Sequence, residues 1–142
     1  MADVGVVRKR VRLAIEQARR DQAERRGRVG EARKAYEEFL ERAAVPAFRM
    51  LATILKAEGL PFEVMTPAGG VRLQSERNRE DAIELELDVT ADPPQPLVTI
   101  TRVRGSRTIQ TDRTMAGSTP LTALTEDDVI EMLLEELRPW LG

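Results

Sequence analysis

Between residues 81 and 90 the chain reads D-A-I-E-L-E-L-D-V-T, with Ile83, Leu85, Leu87 and Val89 alternating against Glu84, Glu86 and Asp88. A period of two over that length predicts a β-strand with one buried face and one wet face. Weaker forms of the pattern surround it. Residues 60–65 are a short apolar stretch containing Pro61, T-P-A-G-G supplies a turn, and residues 71–76 set Val71 and Leu73 inward. Beyond a rigid A-D-P-P-Q-P loop, residues 97–104 and 107–113 predict a hairpin across Gly105-Ser106, a pair that suits a two-residue turn with glycine first. Five consecutive strands with short links predict an antiparallel sheet, because parallel pairing needs crossover helices.

The periodicity before the sheet is helical. Val4, Val7, Val11, Ala14, Ile15 and Ala18 step by threes and fours and describe a narrow seam over residues 4–18. The seam lapses through residues 19–28, where Gly27 and Gly30 fall in R-G-R-V-G, and resumes with shifted register over residues 29–43 at Val29, Ala32, Tyr36, Phe39 and Ala43. Two shapes fit: one long helix, which would overhang the rest of the molecule, or a helical hairpin turning at residues 27–30, in which the two seams cover each other. The hairpin is the preferred expectation, since each glycine costs a helix roughly 1 kcal/mol relative to Ala and glycine commonly ends helices. A further helix over residues 46–58 is predicted to kink or restart at Pro46 and to lie on the sheet through Phe48, Leu51, Ala52 and Leu55.

After an uncharged loop over residues 114–124, Thr125 followed by Glu126, Asp127 and Asp128 has the chemistry of a capped helix start. Ile130, Leu133, Leu134, Leu137 and Leu141 are the expected buried stripe, with Pro139 ending the helix. The fold class is therefore α+β: an N-terminal helical hairpin or long helix, a five-stranded antiparallel sheet and a C-terminal helix packed on it. At 142 residues this is one globular domain overall, with a helical region at 1–58 and the sheet and last helix at 60–142.

Composition removes much of the usual chemistry. Cysteine and histidine are both absent, which excludes thiolate catalysis, a Cys or His metal site and the usual general base near neutral pH. Ser75, Ser106 and Ser118 have neither a histidine nor an S-x-x-K lysine to activate them, and Gly69-Gly70 lacks the context of a nucleotide loop. Glu84, Glu86 and Asp88 share one strand face, but alternate residues stand nearly 7 Å apart, too far for neighbouring ligands of one cation; a solvated face paired with Arg102 and Arg104 is expected instead. No catalytic residue, metal site, cofactor or small-molecule substrate is expected. The chain carries no apolar run of signal-peptide or membrane-spanning length, so a cytoplasmic location is the expectation.

Charge is divided between the two parts of the chain. Residues 1–34 hold eleven Arg and Lys against five acids, and residues 35–142 hold eleven against nineteen. Two functional readings follow. In the first, Val4, Val7, Val11, Ile15, Ala18, Tyr36 and Phe39 form a helix seam through which a non-enzymatic adaptor, chaperone-like or assembly subunit binds a protein partner or itself, in the manner of a coiled coil. In the second, Arg19, Arg20, Arg25, Arg26, Arg28, Arg33 and Lys34 contact nucleic-acid phosphates or an acidic surface. Against the second, Glu16 with Arg20, Asp21 with Arg25 and Glu24 with Arg28 are spaced to pair along an exposed helix, and no aromatic residues stand among them to stack on bases.

Overall fold

Helical structure runs without a break from Val4 to Ala57 in the computed structural model, which describes residues 2–115, 117 and 119–142. α1 spans Val4–Phe39, a π-helical turn follows at Leu40–Ala44, and α2 spans Val45–Ala57. The expected hairpin is overturned. Neither Gly27 nor Gly30 takes the positive φ of a helix-ending glycine, and the residues around them (Ala, Arg, Glu, Gln) are strong helix formers whose preference outweighs two glycines. Arg25 and Arg28, on either side of Gly27, also tie the helix down to Val89 and Asp92.

The π-helical turn settles a conflict of phase. In an unbroken α-helix, Phe39 and Phe48 would point about 180° apart, yet both are wholly buried in one core. The wider turn, closed by the Val45 N–H donating to the Leu40 carbonyl, takes up one extra residue and swings α2 by roughly 100°, which leaves the two rings about 80° apart, within one broad buried face. Pro46 explains its position. A proline has no N–H for the carbonyl four residues back and crowds it, and here that carbonyl belongs to Arg42, within the loosened turn. Pro46 thus stands in the first turn of α2, as the restart alternative expects, and helical structure passes through it without a break.

The sheet is a five-stranded antiparallel meander in the order β1-β2-β3-β4-β5. Its strands are β1 (Phe62–Met65), β2 (Gly70–Ser75), β3 (Ala82–Asp88), β4 (Gln95–Arg104) and β5 (Arg107–Thr114). Ile83 lies opposite Leu73 and Ile100, and Leu85 opposite Val71 and Val98, so one face of the three central strands is continuous aliphatic surface. The end of α1, the π-helical turn, α2 and α3 (Glu126–Leu141) pack over it.

The opposite face is polar. Arg72 lies between Glu84 and Gln74, donating to each at 3.0 Å, while Gln74 donates to Glu63 at 2.7 Å. The expected pairing of the β3 acids with Arg102 and Arg104 does not form: across the β3–β4 ladder Glu84 meets Thr99 and Glu86 meets Leu97, while Arg102 and Arg104 face Ile109 and Arg107 on β5. The edges of the sheet are β1, four residues long, and β5, which reads R-T-I-Q-T-D-R-T.

Thr125 caps α3 reciprocally, its hydroxyl accepting from the Asp128 N–H while the Asp128 carboxylate accepts from the Thr125 N–H. The buried stripe of α3 is rotated from the expected one: Val129, Met132, Leu133 and Leu137 are buried, Ile130 is half-buried, and Leu134 and Leu141 are exposed. Arg113 on β5 pairs with Glu136 and Glu135 on α3. Pro139 does not end the helix, which continues to Leu141 and lays Trp140 edge-on against Phe62.

Candidate protein-interaction surface

The feature that sets this molecule apart is the part of α1 that leaves the body. Every described residue from Ala2 to Arg28 is exposed, and the first anchors to the body are the Arg25 guanidinium on the Val89 carbonyl and the Arg28 guanidinium on Asp92, both at 3.3 Å. At 1.5 Å per residue the free arm is about 30 Å long. Its start is well defined, because the Asp3 carboxylate accepts from the Gly5 N–H at 2.8 Å and caps the helix.

Five of the seven proposed seam residues lie on this arm. Val4 is 73% exposed, Val7 41%, Val11 50% and Ile15 45%, and Ala18 is exposed beside them. The other two are corrected by the structure: Tyr36 and Phe39 are 2% and 0% exposed and stand with their rings 6.1 Å apart in the chain's own core. The expected register shift between the two seams also disappears in a continuous helix. Ala18 and Val29 are about three whole turns apart, and Val11 and Tyr36 about seven. The exposed seam therefore looks toward the side of α1 on which the body lies.

Of the basic candidates, Arg19, Arg20, Arg25, Arg26, Arg28, Arg33 and Lys34 are all exposed. The pairings expected along the helix are absent among the described residues: Arg25 and Arg28 turn instead to Asp92, and Asp21 accepts from Gln17. Both Asp92 pairs are about half exposed, so each contributes little to stability. Sequence reasoning missed one element. Arg12 joins Arg19, Arg26 and Arg33 at intervals of seven, which sets four guanidinium groups in a row alongside the apolar seam. That spacing was legible in the sequence and hidden by counting charge in a block. Val6 and Leu13, exposed on the other side of the arm, were also missed.

A recess of about 500 Å³ at one end of the sheet is lined by Pro93, Pro94, Pro96, Met115, Leu121 and Leu124 with a few uncharged polar groups, and no ionisable side chain stands among its described lining residues. Among the described residues no three acidic side chains gather as a metal ion would require, and no helix is long and apolar enough to cross a membrane. Comparison of the chain with models of known families, with curated proteins and with solved structures gives no match.

Proposed function

We propose that this chain is a non-enzymatic protein-interaction module, an adaptor, chaperone-like or assembly subunit, and that it associates through the exposed arm of α1. The observation that carries this reading is the position of the seam: Val4, Val7, Val11 and Ile15 share one side of a helix and stay exposed among the described residues. Most helical stability in proteins comes from packing of an amphipathic face, which the exposed arm lacks. A partner that buries the seam both removes apolar surface from water and stabilises the helix that presents it.

The test compares wild type with Val11→Glu, which places a charge in the middle of the seam without touching the body. Association, read by light scattering across a range of concentrations and by recovery of a partner from native lysate, is expected in wild type and lost in the variant at unchanged melting temperature. A wild type that stays monomeric and retains no partner refutes the reading.

The row Arg12, Arg19, Arg26 and Arg33 favours a second reading, binding of nucleic acid along the arm. It predicts retention of generic DNA or RNA at low salt that weakens steeply as salt rises. Association through the seam persists at high salt.

A further inference from the structure

Resting on the reading of the arm as an association surface, we infer that its partner is a second copy of this chain, paired antiparallel about a two-fold axis at Val11. The spacing of the seam carries the inference. From Val4 to Val7, Val11, Ile15 and Ala18 the steps are three, four, four and three, so the seam reads the same from either end. A reversed copy laid against it brings Val4 opposite Ala18, Val7 opposite Ile15 and Val11 opposite itself. Two-fold self-pairing requires that self-complementarity, whereas a foreign helix does not. Ala14 falls outside the palindrome. Its counterpart is Arg8, whose aliphatic stem is suited to covering it.

The body selects the same arrangement. Because the seam looks toward the side of α1 that carries the body, a parallel copy would extend along α1 into the space that Tyr36, Phe39 and the sheet already fill. An antiparallel copy avoids this. With Val4 of one copy opposite Ala18 of the other, each helix ends before the partner's Arg25, where the body begins. The two bodies then lie at opposite ends of a short helical pair.

The size of the contact sets its strength. The exposed parts of Val4, Val7, Val11 and Ile15 amount to roughly 350 Å² per copy, so the pair with its flanking arginine stems approaches the lower limit of about 1,000 Å² for a specific interface. The dimer is therefore weak and concentration dependent. Arg8 and Arg10 flank the seam and oppose pairing by like charge, so salt, by screening them, strengthens the dimer. Binding of nucleic acid responds in the opposite sense.

The chain has no cysteine, so Val11→Cys, Val4→Cys and Ala18→Cys each place one thiol on the arm. Under mild oxidation Val11→Cys is expected to link to itself, and Val4→Cys to link to Ala18→Cys when the two are mixed. Val4→Cys alone should not, because its two copies would stand about 21 Å apart along the helices. Wild type should approach twice the monomer mass in light scattering as concentration and salt rise. Self-linkage of Val4→Cys, which parallel in-register pairing would give alongside that of Val11→Cys, overturns the inference. A wild type monomeric throughout, with a partner from lysate that Val11→Glu no longer retains, overturns self-pairing and leaves the interaction module standing. A monomer with no partner overturns both.

Discussion

Tyr36 is buried to 2% exposure, yet its hydroxyl has no hydrogen-bond partner among the described residues. A buried unpaired polar group costs about 1–3 kcal/mol, so Tyr36→Phe is expected to hold or raise stability by up to about 1 kcal/mol in urea melts. Burial, and then the negative charges of Glu86 and Glu84, push the phenol's ionisation well above its ordinary value. The protonated form is thus favoured by the fold. Its stabilising contribution is intact below about pH 10, where the unfolded chain begins to ionise, and is lost as pH rises toward the folded value; Tyr36→Phe should flatten that alkaline loss. On β3 the alternation was legible residue by residue, since Ile83 and Leu85 are buried and Glu86 is exposed. Leu85→Asp should therefore cost several kcal/mol while Glu86→Lys changes little, and equal losses in melting temperature would contradict the assignment. In the sequence Gly70 belongs only to a turn. A Cβ there would lie 2.7 Å from the Leu85 carbonyl oxygen, a cross-strand approach that no sequence pattern reports.

At the scale of elements, the five strands were legible because alternation and short links are local signals, and their ends moved by at most two residues. The helices were less so. Gly27 and Gly30 have the residue type of helix ends, but nothing lies within 4 Å of a Cβ built at either, and neither has positive φ. Gly27→Ala and Gly30→Ala should each favour the helix by roughly 1 kcal/mol, read as higher helical circular dichroism and slower amide exchange along the arm. A hairpin turning at these residues would be weakened by the same changes. The π-helical turn did leave a trace: two phenylalanines nine residues apart on opposite sides of a helix, with a proline between them, signal a change of phase. At α3 the cap was legible and the buried stripe was not, because Leu134 and Leu141 fit the period as well as Val129 and Met132 do. What decides is packing of Val129, Met132, Leu133 and Leu137 into one core with α2 and the sheet, contacts between segments far apart in sequence. Thr125→Ala should cost about 1 kcal/mol through loss of the cap, measured by thermal melting.

The whole molecule is a body with a basic rod projecting from it. A compact chain of 142 residues has a radius of gyration of about 14 Å, and the continuous helix Val4–Ala57 is about 80 Å long. Small-angle scattering from the monomer should therefore give a radius clearly above the compact value, and a value near about 14 Å would mean that the arm folds back. Candidate contacts were legible in proportion to how locally they are determined: the palindromic seam and the arginine row are written in spacing alone, whereas the burial of Tyr36 and Phe39 depends on where α1 meets the sheet. The two borders of that sheet bear on what kind of assembly the chain can build. β1 is too short to template an added strand, and β5 presents Arg107, Asp112 and Arg113 along its length, features that discourage strand addition. Both borders are thus guarded against the edge-to-edge strand pairing from which fibres grow.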